Sequence, residues 1–310
     1  MPATIEVSGL RKSYGSKLAV DDLSFTVRPG QVTGFVGPNG AGKSTTMRII
    51  LGLDATDAGS ALIDGRRYQT LRAPLRHVGA LLDAGAFHPG RRARDHLLWM
   101  AQYNGLPARR VDEVLEQVGL AAVARRRAGT FSLGMRQRLG IGAALLGDPA
   151  VLLLDEPVNG LDPEGIQWIR GLLRSLAAEG RAVLISSHLM SELEDSAGHL
   201  VVIGNGRLIA DTTVSELLAT ASGGRVLLRT PELPEAMTVL ANAGATVAGT
   251  DRGAMTVSGL PAERIVAILA EHRIQVSEVS SHRASLEEAY MELTRDAVEF
   301  GATTTAGKQA

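Results

Sequence analysis

The stretch GPNGAGKST, Gly37 to Thr45, carries the residue types that can enclose a row of phosphates. Gly37, Gly40 and Gly42 let backbone N–H groups turn inward around phosphate oxygens, with Pro38, Asn39 and Ala41 completing the loop. Lys43 supplies a compact cation for the β- and γ-phosphates, where a broad guanidinium fork would fit poorly. That choice is informative, because the chain prefers arginine and has lysine only at Lys12, Lys17, Lys43 and Lys308. Ser44 can set its hydroxyl on Mg²⁺, and Thr45 serves the α-phosphate side. A chance glycine-rich turn would lack the right flanks. Here QVTGFV reads as a strand before the loop, and a helix follows it.

Three further segments carry groups suited to the same chemistry. VLLLDEP, Val151 to Pro157, ends a buried strand with two adjacent carboxylates. Strand residues alternate in direction, so the two can have different tasks. Asp155 fits a magnesium shell, directly or through water, and Glu156 fits the base that takes a proton from an attacking water. LISSH, Leu184 to His188, puts His188 just past another buried strand, on the edge that also holds Asp155, where it can reach a γ-phosphate. The chain has seven histidines, and none pairs with another at zinc-ligand spacing. FSLGMRQRLG, Phe131 to Gly140, looks like a second phosphate site without a lysine. Ser132 can cap a helix opening with Leu133 and Gly134, a weak anion site alone but a good lid on an anion already held.

The elements that position these groups read from periodicity. Ile5 to Val27 alternates as two antiparallel strands around a turn near Tyr14 and Gly15. GSALIDGRR and LRHVGALLD add strands, and residues 84–147 change to helical spacing with no strand between. AVLLLDEP and RAVLISSH are continuous apolar runs suited to a parallel sheet, and LVVIGNGRLIAD turns as a hairpin at Asn205-Gly206. The pattern implies a phosphate-loop, nucleotide-binding domain over 1–220, with a helical subdomain at about 84–147. After a hinge near residues 221–224 a small α+β module runs over 225–295, and the composition of 301–310 predicts a disordered tail.

Bulk composition narrows the class. The chain has 310 residues, 45% of them hydrophobic, enough for one large domain and a smaller one. A net charge of −1 gives no general pull onto nucleic acid or anionic lipid, so no nucleic-acid partner is expected. With no cysteine there is no disulfide, thiol catalysis or thiolate metal site. The most apolar stretch is cut by Asp148-Pro149 into pieces too short to span a bilayer.

With these motifs in order, the chain resembles the nucleotide-binding subunit of ATP-binding cassette transporters from Ile5 to about Leu217. The resemblance implies a P-loop α/β fold, with a RecA-like core, an antiparallel β subdomain and a helical subdomain. It further implies ATP and Mg²⁺ as ligands, a homodimer and a separate transmembrane permease. That partnership would place the chain at the cytoplasmic face of the membrane as a peripheral subunit. Tyr14 matches the aromatic residue that stacks on adenine, a task a flat ring can perform. NGLD, Asn159 to Asp162, matches the loop bridging the two nucleotide sites, and His188 the family's switch histidine. FSLGMRQR matches the signature, which in the family touches the γ-phosphate held by the second copy; Ser132 and Gly134 would then serve the partner's ATP.

Two departures stand out. Leu133 and Met135 replace the usual signature glycine and glutamine, a variant similar to that of bacitracin- and daunorubicin-type resistance exporters. Asp83 stands where the family usually has a glutamine that reaches magnesium and the attacking water; a carboxylate can also ligate a hard cation, so it is assigned to the magnesium side. ASLEEAYMELT, Ala284 to Thr294, is similar to the closing helix of that exporter subgroup, but its helical spacing is accounted for by packing.

The main rival is a single-cassette soluble regulator acting in translation. The ribosome-acting regulators of this ATPase superfamily carry two cassettes in one chain, whereas the phosphate loop occurs here once, which counts against this rival. A mechanical DNA-repair ATPase would need a coiled-coil insertion that the short helical region lacks.

Overall fold

In this computed structural model the first apolar alternation becomes a hairpin, β1 (Ile5–Tyr14) and β2 (Lys17–Val27), paired antiparallel with Tyr14 opposite Lys17. The structure describes residues 4–193, 195–222, 225–249, 254–281 and 284–294. The predicted hinge pair 223–224 and the tail 301–310 lie outside them.

After the hairpin come β3 (Gln31–Val36), the phosphate loop and α1 (Lys43–Ile50). Then follow β4 (Ala58–Ile63), β5 (Val78–Leu81), and three helices, α2 (Ala93–Tyr103), α3 (Arg109–Gln117) and α4 (Leu133–Leu145). The chain returns to the core through β6 (Val151–Leu154), α5 (Pro163–Ala178), β7 (Ala182–Ser187), β8 (His199–Gly204) and β9 (Arg207–Thr213).

These strands form two sheets. One is antiparallel, in the order β2-β1-β4; the other is six-stranded, β5-β6-β7-β3-β8-β9, parallel except for β9. The runs VLLL and AVLISS are buried at every position, as a strand covered on both faces requires. Phe25 of β2 meets Phe35 of β3 with ring centroids 5.2 Å apart, so the two sheets share one core with Ile50, Leu153 and Val201. At the β8–β9 turn Asn205 and Gly206 both take positive φ, the twist a two-residue hairpin needs. The Gly206 N–H donates to the Ala41 carbonyl at 3.1 Å, and the Gly206 carbonyl accepts from the Asp21 N–H at 2.9 Å.

The chain divides into two compact units between Val214 and Ser215. The break thus falls ahead of the predicted hinge, because α6 (Val214–Ser222) belongs almost wholly to the second unit. That unit continues with β10 (Val226–Arg229), α7 (Leu233–Asn242), β11 (Thr246–Gly249), β12 (Met255–Ser258), α8 (Ala262–Glu271) and β13 (Glu278–Ser281). Its sheet, β11-β12-β10-β13, is antiparallel throughout, the split βαβ arrangement, around Leu228, Leu240, Met255 and Leu269. β13 is shorter than IQVSEVSS suggests, since the Gln275 N–H bonds the Glu232 carboxylate at 3.0 Å instead of joining a ladder. A last helix over 286–294 opens with a capping box: the Glu288 N–H reaches Ser285 Oγ at 3.1 Å, and the Ser285 N–H reaches Glu288 Oε2 at 2.9 Å. Leu286 and Ala289 are buried, as the packing account of this segment requires.

α4 lies so close to β5 that a Cβ on Gly79 would sit 2.0 Å from the Ala144 carbonyl oxygen. Gly79→Ala is therefore expected to lower the unfolding free energy by about 2–3 kcal/mol. Gly171, in α5, has open space around it, and Gly171→Ala should stabilise by about 0.5–1 kcal/mol. Denaturant unfolding of both variants checks the contrast; equal effects would contradict the helix–sheet approach.

Candidate functional site

β3, β7 and β6 are adjacent and parallel, so their C-terminal ends lie along one edge of the sheet, the place where α/β sheets bind ligands. The phosphate loop leaves β3, His188 follows β7, and Asp155 and Glu156 follow β6.

Gly42 caps α1 with φ of 105°, and a Cβ there would meet the Ala19 carbonyl oxygen at 2.5 Å. Only glycine can end the loop so close to β2, which leaves the α1 N-terminus facing the cleft as an anion site. The cleft is lined by Tyr14, Lys17, Ala19, Asn39, Gly40, Gly42, Lys43, Ser44, Thr45 and Glu156. Lys43 is 6% exposed, and its Nζ donates to the Gly37 carbonyl at 2.5 Å and the Pro38 carbonyl at 3.3 Å. Burial pushes the ammonium below its ordinary pKa, and Glu156 and Asp155 oppose the fall.

Ser44 Oγ donates to Asp155 Oδ2 at 2.7 Å. A hydroxyl and a carboxylate side by side form an oxygen set that suits a hard divalent cation. The other Asp155 oxygen accepts from Ser186 Oγ, which itself accepts from the Glu156 N–H at 2.8 Å. Among the described residues no group of three or more acidic, histidine or cysteine side chains forms a metal cluster, so any cation here would need ligands from the nucleotide or water.

Asp155 and Glu156 diverge for a reason other than strand alternation. β6 ends at Leu154, and Glu156 takes φ of 48°, left-handed backbone that costs a non-glycine residue about 1–2 kcal/mol. Four hydrogen bonds hold it there. Besides the Ser186 contact, its carbonyl accepts from Gln137 Nε2 at 3.1 Å and from the Asn159 N–H at 3.2 Å, and its Oε2 lies 2.9 Å from His188 Nδ1. Strain of this kind persists only where its surroundings enforce it.

Tyr14 is 48% exposed, and its hydroxyl donates to Asp54 at 2.7 Å. Arg48, on α1, grips the same carboxylate with two hydrogen bonds, at 2.8 and 3.1 Å. Arg48 and then Tyr14 hold the Asp54 carboxyl down at about 2. The aromatic platform is thereby tied to the helix that begins with Lys43.

Other predicted residues lie outside this cleft. Ser132 caps α4, its Oγ accepting from the Met135 N–H at 3.3 Å, and neither it nor Gly134 lines the phosphate cleft. Asp162 caps α5, accepting from the Gly165 N–H at 2.9 Å. Asp83 is exposed, and its carboxylate accepts from the Gly85 N–H at 2.7 Å, within its own loop rather than at Ser44 or Asp155. Leu133, the signature departure, packs where Gly160 has no side chain: a Cβ on Gly160 would lie 2.3 Å from it.

Ser186 and Asp54 are the residues the sequence reading passed over, and Gln137, a retained signature residue, was not tied to Glu156. Ser186 had a local signal, a polar residue inside a buried run. Asp54 had none, because its partner Tyr14 is far away in sequence.

A lysine-bearing phosphate loop with two carboxylates on the same sheet edge defines a P-loop nucleotide hydrolase. The ABC transporter family model matches residues 20–159, and a domain of unknown function matches residues 224–287. The uncharacterized ABC transporter ATP-binding protein YhcH of Bacillus subtilis (strain 168) is 35% identical over 302 residues, 96% of this chain and 98% of that protein. The bacitracin transport ATP-binding protein BcrA of Bacillus licheniformis is 42% identical over 220 residues, 70% of this chain and 72% of its own length. A solved ATP-binding subunit of an ABC transporter superposes with a TM-score of 0.64 at 28% identity, over 70% of this chain and 92% of that one. The chain belongs to the ATP-binding subunits of ABC transporters, and it binds and hydrolyses ATP.

The Asp54 pair carries a pH signature. Its folded pKa lies below the ordinary 3.8, so its stabilisation is complete above about pH 4 and is lost as pH falls through about 2. Wild type should exceed Asp54→Asn in unfolding free energy by about 1 kcal/mol near neutral pH, and the two should converge near pH 2. Denaturant titrations across that range check it; a pH-independent gap would contradict the ion pair.

Proposed function

We propose that two copies of this chain clamp two ATP molecules and that hydrolysis releases the clamp, powering a separate membrane permease. The observation that carries this reading is the position of the α4 N-terminus. Ser132 and Gly134 present capped helical N–H groups but do not line their own chain's phosphate cleft. A helix end of that kind attracts an anion, and the terminal phosphate of a second copy's ATP is the anion that the dimer supplies.

Within each site, the loop N–H groups and the Lys43 ammonium neutralise the phosphates. The Ser44 hydroxyl and the Asp155 carboxylate would hold Mg²⁺, which would add charge neutralisation when bound with the nucleotide. The Glu156 carboxylate takes the proton of the attacking water, His188 Nδ1 directs that carboxylate, and His188 also reaches the γ-phosphate. Tyr14 stacks on adenine. Asp83 would contribute a further carboxylate on the magnesium side.

The permease docks on the helical region after Asp83. Trp99, 52% exposed, stacks on Tyr103, 83% exposed, with the Arg91 guanidinium 5.0 Å from the Trp99 ring, an aromatic patch suited to a protein partner. Among the described residues no helix is long and apolar enough to cross a membrane, so the pore is assigned to the partner and this chain to the cytoplasmic face. The cargo class follows from the exporter-subgroup resemblance, a drug, antibiotic or other hydrophobic compound, in line with a relative named for bacitracin transport.

Glu156→Gln tests the chemistry and the clamp together. It should retain ATP binding, slow turnover by about 10²–10⁴-fold, and accumulate an ATP-dependent dimer on size-exclusion chromatography. Near-normal turnover would refute the assignment of the base, and a monomer at saturating ATP would refute the clamp. Asp83→Asn should raise the Mg²⁺ concentration needed for half-maximal turnover severalfold; an unchanged requirement removes Asp83 from the magnesium side.

A further inference from the structure

We propose that Gln137 is a positioning residue for the Glu156 carboxylate, linking the seating of α4 on a partner's nucleotide to the proton acceptor in its own chain. The proposal rests on the reading of Glu156 as the base and of the α4 N-terminus as a lid.

Glu156 reaches its place only through left-handed backbone at φ of 48°, so whatever fixes its two flanking peptides fixes the carboxylate. The Ser186 hydroxyl holds the peptide before it, and His188 holds the side chain; both belong to β7 or the residue after it. The peptide after it is held by the Asn159 N–H, inside the same turn, and by Gln137 Nε2 at 3.1 Å. Gln137 is thus the anchor that comes from the helical subdomain. It is 4% exposed, so its amide is committed to this contact rather than to solvent.

The helix that carries Gln137 begins at the Ser132 cap. Its first turn also abuts the bridging loop: a Cβ on Gly134 would lie 3.0 Å from the Gly160 carbonyl oxygen. An α-helix moves as a rigid rod over so short a span, so a shift at Ser132 is delivered to the Gln137 amide and from there to the Glu156 carbonyl. The device reads occupancy of the neighbouring site and aligns, or releases, the base in this one.

The contact is separable from stability. Without Gln137 the Glu156 carbonyl still accepts from the Asn159 N–H, so no buried acceptor is orphaned. Gln137→Met keeps the volume and removes the donor. In the purified full chain it should lower kcat for Mg-ATP by about tenfold or more, with KM within about twofold and the thermal midpoint little changed. Combined with Glu156→Gln it should add nothing, because the group it aligns is already disabled. Wild-type kcat in Gln137→Met, or full additivity with Glu156→Gln, overturns the proposal. Near-normal turnover of Glu156→Gln alone instead sinks the underlying assignment of the base, so the two failures are distinguishable.

Gln137→Glu supplies a second readout. Its protonated carboxyl can donate to the Glu156 carbonyl and its carboxylate cannot, so its kcat relative to wild type should recover as pH is lowered. A ratio that stays low across the range overturns the proposal.

Discussion

Leu154 stands opposite Ile185 in the β6–β7 ladder, and Ile185 stands opposite Gly34 in the β7–β3 ladder. That parallel register is the constraint on which the rest of the site depends. It sets the ends of three strands side by side, so that Asp155 comes out next to Ser186 and the phosphate loop next to both. A slip of one residue in either ladder would displace Asp155 relative to Ser186 or to the phosphate loop that carries Ser44. The buried runs of β6 and β7 make such a slip costly, because every residue in them is already buried.

On this frame the charged groups are balanced locally. Lys43 loses solvent to burial and regains part of its charge preference from Glu156 and Asp155. Tyr14 is steadied by an acid that Arg48 keeps ionised. The α4 segment adds a different kind of fit. Leu133, larger than the family's usual glycine, rests against a glycine in the bridging loop, so the signature departure is met by a complementary vacancy at Gly160.

Much of this could be read from the sequence, and the limits have physical causes. The phosphate loop, the buried runs and the Asn205-Gly206 hairpin depend on local chemistry, and each lies where its pattern placed it. The helical region and the α+β character of the second unit follow from periodicity. Missing from the sequence were contacts between distant residues: Asp54 with Tyr14, Gln137 with Glu156, Ser186 with Asp155. Alternation along a strand also gave the wrong reason for the divergence of Asp155 and Glu156, because a single residue leaves the strand by a left-handed turn that no periodicity encodes. The β13 boundary shifted for a similar reason, an acceptor supplied by Glu232 from another element.

The hairpin at Gly206 has a bearing on how the chain is made. Its N–H secures the Ala41 carbonyl in the phosphate loop, and its carbonyl secures Asp21 in β2. Ala41 leaves the ribosome early and Gly206 late, with the whole helical region between them. Domains generally fold as units during synthesis. The nascent chain therefore cannot make these two hydrogen bonds, one to the phosphate loop and one to β2, until β8 and β9 have emerged.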